Sequence, residues 1–260
     1  MIGEELNAAE ITARGLAGDR SYALVDASDG KVATAKNPRR WPNLFDFRAV
    51  LVESAPGSAA GPTVRITLPG GDVIDSAQND VHRILSEAVK REVTLQPAAG
   101  AQNGPQRAPA TAEEYWPDID GLDYRDTVTD FAIPEGTFFD CAQVHLLTTG
   151  TLERLRDLYP RGRFEARRFR PNIIVRTADD AREFVENAWI GRSLAIGDRV
   201  RLRIDGPCPR CVMTTLAQGD LPADPGILKT AAQHNSARVG VYASVLQGGR
   251  IRRGDPVRVE

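Results

Sequence analysis

Residues 206–215, GPCPRCVMTT, place two of the chain's three cysteines in a C-x-x-C spacing with an arginine between them. Thiols so spaced can act as a redox pair, half of a zinc site, buried apolar side chains, or a ligand for a soft metal. Structural zinc takes four ligands. No second C-x-x-C and no paired-histidine motif completes that set, and Cys141, His145 and His234 are only scattered candidates. A thioredoxin-like pair needs a helix beginning at the first cysteine within a βαβ unit. Here the stretch that follows, VMTT, reads as strand. A buried, inert thiol remains the plain reading for one of the two.

The second chemical feature is RGRFEARRFRPN (161–172), with Arg161, Arg163, Arg167, Arg168 and Arg170 ahead of Pro171-Asn172. A solvated basic face accounts for most of them. RNA binding would need stacking surfaces, and only Phe164 and Phe169 offer any. A third reading joins the two segments. Guanidinium groups clamp phosphate in a bidentate fork, and a thiolate suits a soft or high-valent metal. A chain offering both can hold an anionic, phosphate-bearing metal cofactor.

The elements that must position these residues are mainly strands. RSYALVDA (20–27), VATAK (32–36), FDFRAVLVE (45–53), TVRITLP (63–69), VIDS (73–76) and VTLQP (93–97) read as β, with Gly/Pro-rich breaks at 55–62 and 69–72. NDVHRILSEAVKRE (79–92) carries Val81, Ile84, Leu85 and Val89 at helical spacing, with Asn79 or Asp80 as cap. Residues 98–112 lack periodicity and are taken as the linker between a first domain, 1–104, and a second, 105–260. In the second, 149–160 and 224–234 predict helices, with Thr149 or Thr151 near the first cap, and PNIIVRT (171–177) a buried strand. LAIGDRVRLRI (194–204) and GRIRRGDPVRVE (249–260) each put Gly-Asp before an alternating Val-Arg strand, as turns of a small closed barrel would. The fold class expected is mainly β with a few helices (α+β), not a doubly wound sheet.

Composition sets bounds. At 260 residues, 42% hydrophobic and 26% charged, the chain reads as an ordinary globular protein of one large or two small domains. No stretch approaches the roughly 18 apolar residues of a membrane span, and MIGEELNAAE lacks the pattern of a signal peptide. Three cysteines make no disulfide framework, which leads to an expected cytoplasmic location. A net charge of −2 gives no general reason for nucleic-acid or membrane partners.

Several segments together resemble the MOSC family (molybdenum cofactor sulfurase C-terminal domain) with its N-terminal β-barrel domain. They are GLAGDRSYALVD (15–26), VATAKNPR (32–39), HLLTTGTLERL (145–155), FRPNIIV (169–175), WIGRSLAIGD (189–198), CPRCVMTT (208–215) and GRIRRGDPVRV (249–259). Within that family the chain is most similar to the amidoxime-reducing branch. The resemblance implies an N-terminal barrel-like domain followed by a MOSC β-barrel, and a molybdenum–molybdopterin cofactor. It implies Cys211 as the thiolate ligand of the metal, with Cys208 at a less constrained position. Arg20, Arg170 and Asn172 match cofactor-contacting residues, and Pro209 and Arg210 match the loop presenting the cysteine. Asp140 and Ala142 match pocket residues, and Tyr242 matches a tyrosine near the cofactor. Relatives also begin with a strand ending in Lys-Ser ahead of the position of Met1, so an upstream in-frame strand is expected here.

The activity this implies is reduction of N-hydroxylated or N-oxide compounds, the oxygen leaving as water after two electrons and two protons. No iron–sulfur cysteine pattern is present, so electrons are expected from a separate ferredoxin-like or flavin partner. The rival is a cofactor or sulfur carrier without turnover of its own.

Overall fold

The computed structural model describes residues 1–52, 62–98, 110–119, 122, 125–134, 137–178 and 181–260. Among these residues the chain is mostly strand, with four short α-helices. It opens with an antiparallel pair, β1 (Ala8–Thr12) and β2 (Gly15–Leu16). The strand β3 (Tyr22–Asp26) follows, then the meander β4 (Arg48–Val52), β5 (Thr63–Thr67) and β6 (Val73–Asp75). Helix α1 (Val81–Val89) buries Val81, Leu85 and Val89 on one face and ends where Lys90 turns left-handed. Asp80 stands at its N-cap position, but its carboxylate pairs with Arg83 at 2.9 Å instead of capping the backbone. β7 (Val93–Pro97) then runs antiparallel to β3.

Alternation along β3 sends Leu24 into one core, with Trp41, Phe47 and Leu85, and Val25 into another, with Val32 and Ala112. Residues 32–36, expected as strand, form only a bridge at Val32 and then a turn. The Thr34 hydroxyl and carbonyl accept from the amides of Lys36 and Asn37, and Pro38 follows. A local side-chain bond has outcompeted strand pairing. The hairpin β8 (Thr111–Trp116) and β9 (Thr127–Ala132) packs beside it through the Val32–Ala112 bridge. The expected linker at 98–112 falls largely outside the described residues, as does most of the 55–62 break.

In the second half, β10 (Val144–Thr148) leads into α2 (Thr149–Leu158), then α3 (Ala166–Phe169) and β11 (Ile173–Val175). The cap of α2 is Thr148, one residue before those expected; its hydroxyl accepts the Thr151 amide at 3.2 Å. β12 (Ser193–Ile196), β13 (Val200–Pro209), α4 (Gly226–Asn235), β14 (Arg238–Gln247), β15 (Gly249–Arg252) and β16 (Val257–Val259) complete the chain. A curled sheet runs β11-β10-β14-β13-β12-β16. β10 is buried throughout: Leu146 faces the core of the sheet, and Leu147 faces α2, α3 and α4. β11 lies at the sheet edge, so Ile173 and Val175 are buried while Ile174 is exposed. The two Gly-Asp segments do meet: β16 pairs with β12, Leu194 opposite Val259.

The two halves interlace. β1 pairs with β15, Ala8 opposite Arg252, and inserts Ile11 into the core of the second sheet. The chain therefore starts against β4, where Ile2 bridges Arg48, passes to the second sheet as β1 and β2, and crosses back at residues 17–21 to build the first body.

Beneath β3, Asp26 is 2% exposed and pairs with Arg40 at 2.7 Å and Arg91 at 2.9 Å. Burial works to raise its carboxyl, but hydrogen bonds from Ser28, Arg40 and Arg91 outweigh it and hold the group well below the usual carboxylate range. A depressed native value stabilises the fold above the unfolded-state value of about 3.9, and that contribution is lost as pH falls below it. Asp26→Asn is expected to cost about 1–2 kcal/mol near neutrality, because it takes the carboxylate from Arg91, which water can still reach, and one of three from Arg40, which keeps Asp29 and Glu113. The difference from wild type should shrink below about pH 4; urea melts at several pH values check both statements.

Candidate functional site

β13 and β14 lose register at three places, the last between Pro207 and Pro209. Such irregularities bend a strand and re-aim its side chains. Cys208 lies at this end of β13, and its side chain is fully buried. Pro209 is exposed at the apex, Arg210 turns back inside, and Cys211 caps a 3-10 turn, Val212–Thr215. That turn replaces the strand expected for VMTT. The Thr214 hydroxyl donates to the Cys211 carbonyl at 3.1 Å and the Thr215 hydroxyl to the Val212 carbonyl at 2.7 Å. Short hydroxyl-to-backbone bonds of this kind favour a tight turn over a strand.

The turn is held from behind by Arg168, the largest wholly buried side chain. Its guanidinium donates to the carbonyls of Arg163, Thr214, Leu216 and Pro222 at 2.7–3.3 Å. The arginine-rich stretch is thus not one solvated face. Arg163 and Arg167 pair outside with Glu165 and Asp220, while Arg168 supports the cysteine turn. Phe164 and Phe169 are both core residues, unavailable for stacking on bases.

Arg210 donates through Nη1 to the Cys208 sulfur at 2.7 Å and through Nη2 to the Phe169 carbonyl at 2.9 Å, leaving its buried Nε without a protein partner. Burial pushes the Cys208 thiol up, but the charges of Arg210 and His145 and a hydrogen bond with Tyr242 more than reverse this and hold it below the ordinary thiol range. Burial dominates at Cys211: despite Lys36 and Arg210, its thiol is pushed up to about 12. Tyr242 is raised by burial and by the negative Cys208 beside it.

Arg20 and Arg170 both adopt left-handed backbone conformations, φ 49° and 52°, a strained choice for arginine that clusters at functional sites. Arg170 donates to the Met1 carbonyl at 2.8 Å, and Arg20 lies over the Phe139 ring. Burial, then repulsion from Arg20, lowers Arg170 to about 10, with Arg210 adding to the repulsion and Asp19 opposing it. Asn172 does not present a free amide. Its Oδ1 accepts the His145 amide at 2.9 Å and its Nδ2 donates to Asp19 at 2.8 Å, fixing that carboxylate near Arg170.

Asp140 pairs with Lys36 at 2.5 Å, and Lys36 also meets Glu114 at 3.1 Å. Neither Lys36 nor Glu114 was singled out from the sequence, although Lys36 lies within the VATAKNPR segment; the signal was there without a reason to pick the lysine. Ala142 and Tyr242 line a cavity of about 360 Å³ together with Cys141, Gln143 and Asp205. A larger hollow of about 550 Å³, lined by Arg156, Arg163 and Glu165, contains none of the expected site residues.

Among the described residues no group of three or more His, Cys, Asp or Glu side chains converges as a metal cage. Arg210 with an orphaned Nε, and a buried Arg170 opposed by Arg20 and Arg210, instead suit an anionic group that brings most of its own metal ligands. Two family models match the chain: the MOSC N-terminal beta barrel domain over residues 1–102 and the MOSC domain over 134–258. The chain belongs to the MOSC-domain family. Two solved structures are similar to this MOSC protein at low identity. YiiM from Geobacillus stearothermophilus is 18% identical over 46% of this chain and 54% of its own, with a TM-score of 0.35. The YuaD protein from Bacillus subtilis is 17% identical over 49% of this chain and 69% of its own, with a TM-score of 0.39. The chain thus spans little more than half of YiiM. Among curated proteins none matches.

The unequal thiols give a measurable order. In the apoprotein, thiolate absorbance should rise first from Cys208, well below the ordinary thiol range, then from Cys141 near 11 and Cys211 near 12. Cys208→Ser should delete the first step alone. A first step that survives this substitution would show that another thiol carries the low value.

Proposed function

We propose that this MOSC protein is a molybdenum-cofactor oxidoreductase that reduces N-hydroxylated or N-oxide compounds with electrons from a separate partner. The observation that carries the reading is the buried Cys211 thiol on a preformed turn near Arg210, a cation that together with Arg20 opposes the charge of the buried Arg170. When bound, the cofactor supplies two-electron oxygen-atom transfer at molybdenum. Cys211 is the protein ligand to the metal and gives up its proton on binding, which its raised value makes pH-dependent. Arg20 and Arg170 neutralise the pterin phosphate, and the free Nε of Arg210 donates to the bound anion. Ala142 borders the substrate approach, with Asp140 two residues before it in the chain and Pro209 exposed ahead of the cysteine turn. Tyr242, on the cavity wall, carries the hydroxyl that can pass a proton inward.

The overall reaction balances as R–NH–OH + 2 e⁻ + 2 H⁺ → R–NH₂ + H₂O. The electrons come from a ferredoxin-like or flavin donor. A cofactor carrier would bind the same group and show no turnover, so a reductase assay with a chemical electron donor separates the two readings.

Cys211→Ser is expected to remove molybdenum and activity together, since a hydroxyl is harder and far less acidic than a thiol. Cys208→Ser should retain much of both, because a serine oxygen can still accept from Arg210. Metal analysis of the two purified variants is the check, and full molybdenum in Cys211→Ser would overturn the ligand assignment. Arg20→Lys and Arg170→Lys should each weaken cofactor retention, a point charge being a poor substitute for a bidentate fork.

A further inference from the structure

The cavity of about 360 Å³ bordered by Ala142 and Tyr242 has a one-sided chemistry that oxygen removal alone does not require. Among the described residues that line it, Asp205 is the only carboxylate, and no lysine, arginine or histidine joins it. Asp205 reaches the cavity because β13 bulges there. Ile204 stands opposite Ala243 and Gly206 opposite Tyr242, so Asp205 is an extra residue with no cross-strand partner. A bulged residue is re-aimed out of the strand's alternation. Its carboxylate is engaged on one side only. Arg203 Nε at 2.8 Å and the Ser244 hydroxyl at 3.2 Å both donate to Oδ1, while Oδ2 accepts from none of the described residues.

The other polar side chains around the cavity are committed elsewhere. The Gln143 amide donates to the Ala13 carbonyl and accepts the Val245 amide, and the Cys141 thiol donates to Asp140, whose charge Lys36 answers. Arg203 offsets Asp205 from the solvent side; its side chain is 60% exposed, so water screens that pair. Small neighbours leave the room, and a Cβ at Gly206 would meet nothing within 4 Å. A divalent metal takes several oxygen ligands. One half-free carboxylate among hydroxyls and small apolar residues instead suits an ammonium on a small organic body. We propose that this cavity recognises a protonated amine through Asp205 Oδ2, so that the N-oxygenated compounds this protein favours also carry an ammonium apart from the N–O group. Asp205 is then a specificity-determining residue. The substrate half of the inference rests on the oxidoreductase reading above, and the cation half stands on the cavity alone.

The test titrates the full chain, free of cofactor, with benzylammonium and with benzyl alcohol, a neutral probe of like shape, and follows binding by NMR. The ammonium should bind about fivefold more tightly, and Asp205→Asn should cut that preference to less than about twofold. Glu87→Gln, which removes an exposed carboxylate from α1, is the control and should keep it. In cofactor-loaded protein with a chemical electron donor, two N-hydroxylated aromatic compounds are compared, one bearing an aminomethyl group and the other a hydroxymethyl group. Asp205→Asn should lower the ratio of their kcat/KM values by a similar factor; a ratio that stays unchanged overturns the substrate half. Equal binding of the two probes, or a preference that survives Asp205→Asn, overturns the proposal. Should Asp205→Asn not fold, Gly206→Leu fills the cavity instead: loss of ammonium binding supports the proposal, and unchanged binding overturns it. An Asp205-dependent preference in protein that reduces no N-oxygenated compound would overturn the oxidoreductase reading and leave the cation site standing.

Discussion

Positive charge buried where the two β bodies meet is the constraint on which the site depends. Withdrawing a guanidinium or ammonium from water costs several kcal/mol unless the surroundings supply acceptors or counter-charge. Arg168 has four carbonyls, and Lys36 has two carboxylates. Arg210 has one carbonyl and a sulfur, with Nε unmet, and Arg170 has the Met1 carbonyl with a neighbouring arginine opposing its charge. The satisfied pair holds the scaffold, and the incompletely satisfied pair lines the site. Polar groups left short of partners in an otherwise well-bonded interior are where a ligand's acceptors gain most.

Interlacing of the chain makes the site a joint product. β1 belongs to the second body by its pairing with β15, and the crossing that follows carries Asp19 and Arg20 to the junction. Asn172 fastens that crossing from the far side through Asp19. Lys36 and Glu114 come from strands and turns packed around Val32, while Asp140 and Cys211 come from the ends of the second sheet. Separating the two bodies would therefore dismantle the charge arrangement while leaving the cores around Leu85 and Leu146 within single bodies.

Much of the fold was legible because periodicity survives in isolated segments. β3, β5, β7, α1 and α2 fall within the stretches expected for them, and α4 runs one residue past its own. The failures are local contests that periodicity does not register. Thr34 turns the chain after Val32, and Thr214 and Thr215 fold VMTT into a 3-10 turn. Of the site, the cysteines and arginines were visible as residue types with a plausible chemistry. Arg168 was hidden among similar neighbours, since burial distinguishes it and composition does not. Lys36 and Glu114 were hidden for another reason: 78 residues separate them, and only tertiary packing makes them a pair.

On the molybdenum-cofactor reading proposed above, the C-x-x-C spacing has an answer that neither a redox pair nor a zinc site supplies. Three residues apart, the sulfurs occupy opposite electrostatic situations. Cys208 ends a strand against Arg210 and is drawn toward the thiolate; Cys211, also buried but without a guanidinium bonded to its sulfur, keeps its proton. A sulfur already occupied by a guanidinium is poorly placed to give up electrons to a metal, because its charge is compensated and its direction fixed. A protonated sulfur can exchange its proton for a metal when one arrives, and until then it remains an inert neutral group. The arginine between the cysteines is therefore what divides their labour: by engaging the first, it leaves the second available.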